Sequence, residues 1–157
     1  MATANAATSF LENRLLSFIF KNNAASFSSP GDNIFVGLAT AVSNFDDSTG
    51  ESGTPTITEA TFTNYARQQV AASAWTLTTD TDNAQTFKNT NNLDFPASGG
   101  TNNTITHVFI ATHVSASLDT LGSGGNVLFI GALDASKAIA TGDIFRINAT
   151  NLTIELK

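Results

Sequence analysis

Cysteine is absent from this chain, which removes both a disulfide framework and any thiolate metal site. Cations are scarce, with seven Lys and Arg against thirteen Asp and Glu and a formal net charge of −6. Sequence-independent nucleic-acid binding needs a basic stripe, so no nucleic-acid partner is expected. No apolar run approaches the roughly 18 residues that a membrane-spanning helix requires, so no membrane span is expected. The first residues, Met1–Thr8 (MATANAAT), carry neither a basic stretch nor an apolar core, and are not expected to act as a signal peptide.

The chain is instead rich in hydroxyls and amides: 23 Thr, 16 Asn and 14 Ser. Threonine suits the half-solvated face of a strand, and asparagine suits turns because it tolerates the left-handed region. Strands here are solubilised by neutral polar groups rather than by charge. With 157 residues, one domain is expected, large enough to bury about 68–70% of the surface its unfolded chain exposes.

The second half shows short apolar runs cut apart by Gly, Asn, Asp and Pro: Thr104–Thr112, Asn126–Leu133, Asp143–Asn148 and Leu152–Leu156. Strands at that rhythm predict an antiparallel β-sandwich or barrel-like domain. Upstream, Asn33–Thr40 (NIFVGLAT) reads as a strand buried on both faces. Thr56–Thr63, Tyr65–Ala71, Trp75–Thr79, Ala84–Lys88 and Leu93–Pro96 read as further strands. Asn44–Thr54 has no periodicity and reads as a polar, mobile loop.

One helix is predicted, over residues 9–21. Ser9 and Glu12 have capping-box spacing. Leu11, Leu15, Phe18 and Ile19 form one stripe, and Phe10, Leu16 and Phe20 widen it. Such breadth implies cover on more than one side. Either the helix packs across its own sheet, or part of its face meets another subunit. The candidate interface residues on the second reading are Phe10, Phe18 and Phe20, with Phe27 beyond the helix. Residues 1–8 are expected to be a flexible arm, and residues 9–157 a single β-sandwich domain: mainly β with one N-terminal α-helix.

Chemistry is thin. His107 and His113 flank one strand, with Ile105, His107 and Phe109 sharing a face on simple alternation. No Asp, Glu or Cys at useful spacing joins the histidines, so one partly buried and one surface histidine are expected. No Gly-x-Ser-x-Gly elbow occurs. The run Gly122-Ser123-Gly124-Gly125 lacks a following Lys-Ser/Thr and reads as a hairpin loop rather than a phosphate cradle. Asp46, Asp47 and Glu51, or Asp80 and Asp82, hold oxygen ligands for a hard cation but lack the calcium-loop pattern, and read as solvated acidic loops. No catalytic residue, cofactor or metal is expected.

Taken in order, the chain runs from FLENRLLSFIF to NIFVGLAT, NYARQQV, a Trp75 strand, LDFP, ITHVFI and GGNVLFIGAL. Ser136-Lys137, Gly142-Asp143 and a last apolar strand follow. This order resembles the small proteins of tailed bacteriophages and prophages labelled "phage tail fibre protein". Those show a helix, a "YVALF" strand, then "GYAR", "FP", "VTHVGIFD", "GNLLFYGAL", "K" and "GD". The resemblance covers roughly residues 10–156. Departures are Asn64 where the family often has Gly, and Phe109–Thr112 (FIAT) where it often has Gly-x-Phe-Asp.

The resemblance implies a virion component. Similar small β-proteins occur in tails and also as trimeric decoration (cement) proteins on capsids. A domain of this length has a radius of gyration of about 15 Å, compact for a fibre shaft. The leading expectation is therefore a non-enzymatic capsid decoration protein, a homotrimer on the capsid surface. It would bind the major capsid protein or another virion protein across subunit junctions. The alternative is a tail-tip or tail-fibre-associated host adhesin, acting through Asn44–Thr54 and Ser115–Asn126. A glycan depolymerase would need converging carboxylates, and Asp94, Asp143 and Glu155 have no evident partner for that task.

Overall fold

The computed structural model describes residues 3–21, 33–46, 50–79, 85–115, 118–119 and 125–155. It is mainly β, with antiparallel sheets and a single N-terminal α-helix. Strand β1 (Thr3–Ala7) leads into α1 (Ser9–Lys21). There follow β2 (Phe35–Asp46), β3 (Gly50–Glu59), β4 (Gln68–Gln69), a 3-10 turn (Ala72–Ala74) and β5 (Trp75–Thr79). The rest are β6 (Gln85–Asn89), β7 (Leu93–Asp94), β8 (Asn103–Ala111), β9 (Leu118–Asp119), β10 (Gly125–Ile139), β11 (Arg146–Ile147) and β12 (Thr153–Glu155).

The main sheet runs β1-β10-β8-β2-β3, with β4 pairing the start of β2 and β9 pairing the start of β10 in parallel. Two smaller ladders, β12-β6-β5 and β11-β7, complete the fold. Val36 and Leu38 of β2 lie beside Ile110 and Val108 of β8 on one face of the main sheet. They share a core with Phe62, Phe95, Phe145, Ile147 and Leu152 from the connections and the smaller ladders. That is the sandwich-like layer.

The opposite face of β2 and β8 carries a second cluster: Ala39, Phe109, Ala111, Val127 and Ile130. Burial on both sides explains why Asn33–Thr40 reads as a continuous apolar run; Phe35 through Ala39 are all buried. Gly37 sits opposite Phe109 in the register. A Cβ added to Gly37 would come within 2.1 Å of the Phe109 ring. The missing side chain is the space that the ring fills.

Several expectations are corrected. Residues Thr3–Ala7, expected as a free arm, form β1 and pair antiparallel with β10. The expected loop Asn44–Thr54 is strand at both ends, since Asn44–Asp46 finish β2 and Gly50–Thr54 begin β3, with Phe45 opposite Glu51. Tyr65–Ala71 contributes only Gln68–Gln69 as strand. Ile105 and Phe109 do not share a face, because Ile105 belongs to the first cluster and Phe109 to the second. A register shift falls at this point of the ladder: Ala132 pairs with His107 but Lys137 with Ile105. An irregularity of this kind re-aims side chains that strict alternation would align. The acidic groups at Asp47 and Asp80–Asp82, and most of the Gly122–Gly125 run, lie outside the described residues.

Asn64 has φ +74°, in the left-handed region that glycine adopts freely and other residues only at a cost. That accounts for the glycine often found there in resembling proteins. Gly142 has φ +89° in the turn before β11, where Asp143 Oδ2 accepts the Ala140 N–H at 2.9 Å. The Gly-Asp pair is therefore turn chemistry.

Gly37→Ala should destabilise the domain by about 1–3 kcal/mol through overpacking against Phe109, read as a lower urea midpoint. Asn64→Gly should leave the midpoint within about 0.5 kcal/mol of the parent chain, whereas Asn64→Val should lower stability by about 1–3 kcal/mol at a positive φ.

Candidate interaction surface

Helix α1 starts at Ser9 as expected, and the capping side chain described is that of Thr8, one residue before it. The Leu11 N–H donates to Thr8 Oγ1 at 3.4 Å, and the Glu12 N–H donates to the Thr8 carbonyl at 3.1 Å. Thr8 Oγ1 in turn donates to the Val127 carbonyl at 2.5 Å, and the Thr8 N–H donates to the Leu128 carbonyl at 2.9 Å. One fully buried threonine therefore caps the helix and fastens it to β10. Leu11, on the next turn, is buried at 7% exposure.

Beyond that turn one side of the helix is open among the described residues. Leu16, Ile19 and Phe20 are 54%, 57% and 78% exposed. They sit at i, i+3 and i+4, so they form one apolar ridge rather than scattered contacts. Of the four residues singled out from the sequence, Phe20 tops this ridge. Phe18, on the neighbouring stripe, is 46% exposed. Phe10 is half-buried under the Arg14 guanidinium, 5.3 Å from the ring centre. Phe27 lies outside the described residues. Cover on more than one side was expected, but among the described residues α1 packs closely only against β10 and β1.

A second apolar pair lies on the small sheet, where Leu77 of β5 stands directly opposite Phe87 of β6. They are 53% and 46% exposed. Sequence reasoning missed this pair because each residue sits alone among Thr, Gln and Lys.

The densest polar cluster lies inside. Arg67, whose side chain is 3% exposed, pairs with Glu59, whose side chain is 25% exposed. Its Nε and Nη2 donate to the two Glu59 carboxylate oxygens at 2.8 and 2.7 Å, and its Nη1 donates to the His113 carbonyl at 2.7 Å. The guanidinium lies over the Phe109 ring at 5.4 Å. The Tyr65 hydroxyl donates to Glu59 Oε1 at 2.8 Å and accepts the Leu38 N–H at 2.9 Å. Burial first, and the neighbouring Glu59 carboxylate, hold the Tyr65 phenol well above its ordinary pKa, against the opposing pull of its Leu38 hydrogen bond. Titratable clusters of this kind occur at active sites and in structural networks alike. Here the charged groups bond to one another, to the Tyr65 hydroxyl and to the His113 carbonyl, which ties β3, the connection after it and the end of β8 together.

The remaining candidates stay apart. His107 is half-buried with Thr106 Oγ1 2.7 Å from its Nδ1, and His113 is exposed, accepting the Ser115 N–H at 3.1 Å. Asp94 is bound bidentately by Arg146 across β7 and β11 at 2.5 and 2.7 Å. That hydrogen bonding holds the Asp94 carboxyl below the usual carboxylate range. Asp143 serves its turn, and Glu155 lies on β12. Among the described residues no three His, Asp or Glu side chains converge as a metal site.

Glu59→Gln should cost about 2–3 kcal/mol, somewhat less than the roughly 3–5 kcal/mol of breaking a fully buried pair, because Glu59 is partly solvated. Denaturant midpoints check this. Tyr65 is the sole tyrosine, so phenolate absorbance reports on it alone. A phenol whose folded pKa is raised contributes stability below its unfolded pKa of about 10 and loses it as pH rises beyond that value. The absorbance should therefore rise together with unfolding in alkali, and Tyr65→Phe should show a weaker alkaline loss of stability. A phenolate that forms at ordinary pH in the folded chain would refute the buried network.

No curated protein matches this sequence. The family described as Podophage GP4 fiber I protein gp80 matches residues 6–155, from the end of β1 through β12. That span takes in the helix, the Arg67 network and every ladder described above, so the chain belongs to this family of podophage fibre proteins.

Proposed function

We propose that this protein is a non-enzymatic structural part of the tail fibre apparatus, and that the outer ridge of α1 is the face through which it packs into the virion. The observation that carries the reading is the exposure of Leu16, Ile19 and Phe20 on a helix whose first turn is fastened to β10 by Thr8. A contiguous apolar ridge on a chain with so few charges marks a contact surface. The partner is another virion polypeptide, most simply a second and third copy of this chain in a homotrimer. Phe18 stands on the neighbouring stripe of the same helix.

Family membership supports the fibre reading over the capsid-decoration reading that compactness favoured. A compact domain need not be a shaft; it serves equally as a fibre's base, joint or tip. The two stretches that the adhesin reading assigns to host contact divide. Asn44–Asp46 and Gly50–Thr54 belong to the β2–β3 hairpin, while residues 116–117 and 120–124 lie outside the described residues.

Phe20→Asp combined with Ile19→Asp should lower the oligomeric state in sedimentation and leave the far-ultraviolet spectrum of the β-domain unchanged. An unchanged oligomer would reject α1 as the assembly face. Densitometry of purified particles separates the two addresses: a fibre component is present at a handful of copies, and stoichiometry near that of the major capsid protein would overturn the fibre reading.

A further inference from the structure

Where the 3-10 turn meets the β6–β7 connection, the surface folds into a pocket of about 280 Å³. This is near the lower end of the roughly 300–1,000 Å³ typical of sites for drug-sized ligands. Among the described residues its polar side chains are all amides, from Gln69, Asn89, Asn91 and Asn92. Its apolar lining is short and aliphatic, from Val70, Ala71, Ala74 and Leu93. Among the described residues no charged side chain lines it. We propose that this pocket binds a neutral polyhydroxylated ring, a single pyranose unit of a glycan.

The chemistry argues by exclusion and by match. Phosphorylated or carboxylated ligands would find no cation here, and ammonium ligands no carboxylate. A purely apolar ligand would leave amide groups desolvated without partners, which is costly. An amide offers a donor and an acceptor side by side, and vicinal hydroxyls present the same pair in reverse. The short aliphatic wall suits the C–H face of a sugar ring.

The frame is held before any ligand arrives. Asn89 is buried and fully committed: its Nδ2 donates to the Asn91 and Asn148 carbonyls at 2.7 and 3.0 Å, and its Oδ1 accepts the Leu152 N–H at 2.9 Å. It is a positioning residue. The Thr90 N–H donates to the Ala74 carbonyl at 2.9 Å and ties the two walls together. Asn92 Oδ1 accepts the Ala149 N–H at 2.9 Å, which leaves its Nδ2 hydrogens for a ligand. Asn91 Nδ2 reaches Thr90 Oγ1 at 3.3 Å, which leaves its Oδ1 as an acceptor. One donor and one acceptor on neighbouring residues of a rigid turn make a two-point contact for adjacent hydroxyls. Preorganisation of this kind reduces the ordering that binding demands.

The biological use of such a pocket, contact with a host-surface glycan, rests on the fibre reading; the binding itself does not. The test is a nitrogen-15 NMR titration of the full chain with methyl glycosides of glucose, galactose, mannose, N-acetylglucosamine and rhamnose, into the tens of millimolar. A second arm uses a neutral oligosaccharide released from bacterial lipopolysaccharide. Saturable shifts centred on the amides of Ala71, Asn91 and Asn92 are expected with at least one sugar. Tighter binding in the second arm would identify a glycan chain rather than a free sugar as the ligand. Asn92→Asp keeps the acceptor for Ala149 and removes the donor, so it should weaken binding at least tenfold in a folded protein. Ala74→Leu, which fills the pocket, should do the same. Absence of saturable shifts with every sugar, shifts centred elsewhere, or binding unmoved by both variants would overturn the proposal. Loss of assembly through α1 would leave this titration unchanged, so the two readings fail separately.

Discussion

The Arg67–Glu59 pair is the constraint around which the rest of the domain is arranged. A guanidinium with 3% exposure is tolerable only where each of its donors is met, since an unpaired buried charge costs several kcal/mol. Here the partners come from separate parts of the chain: Glu59 ends β3, His113 follows β8, and Phe109 lies within β8. The irregular connection after β3 must therefore lie across the sheet in one position. Tyr65 repeats the logic from the same segment, bonding to Glu59 and to the Leu38 N–H of β2. A stretch with only two residues of strand is fixed by side chains instead of by a ladder.

That arrangement depends in turn on Gly37. With no side chain on β2 at that point, the Phe109 ring fills the space beside Gly37 and the Arg67 guanidinium lies over the ring. Strand, aromatic ring, cation and carboxylate form successive layers over the second face of the main sheet. The first face needs no such device, because Phe62, Phe95 and Phe145 cover it with apolar bulk, joined by Tyr65 through ring contacts. One Tyr side chain thus belongs to both systems: its ring packs with the core phenylalanines and its hydroxyl with the ion pair.

Much of this was legible in the sequence where periodicity is strong. Trp75–Thr79 is β5 as read, Thr104–Thr112 is β8 to within a residue, and the double-sided burial of Asn33–Thr40 follows from its unbroken apolar run. The failures have specific causes. Thr3–Ala7 and Gly50–Thr54 carry small or polar residues, so nothing in their pattern separates a strand from a loop; their pairing is decided by the neighbouring strand. The β8–β10 register shift has no local signature, and it falls between His107 and Ile105, where strict alternation fails. Tyr65-Ala66-Arg67 stands out in the sequence, but its partner Glu59 lies across a left-handed Asn64, and no spacing rule links a carboxylate to an arginine through such a turn. The amide pocket was invisible because its walls, near Val70 and near Asn91, are far apart in sequence and unremarkable alone.

Helix α1 poses the last physical question, because its first turn and its last are in different environments. A helix of 13 residues is marginal in water on propensity alone, and most helical stability in proteins comes from packing an apolar face. Thr8 and Leu11 supply that packing at the N-terminal end. The turns bearing Leu16, Ile19 and Phe20 receive little of it from the described residues. Sequence selection for solubility alone would place Lys or Glu at those positions, as Lys21 and Glu12 show the chain can do. Apolar residues kept on the outer ridge instead make the order of these turns depend on whatever covers them. Under the assembly proposed above, burying the ridge and completing the helix are one event. The Thr8 cap then has a second role: it fixes where the helix leaves the sheet, and so the angle at which the ridge meets its partner.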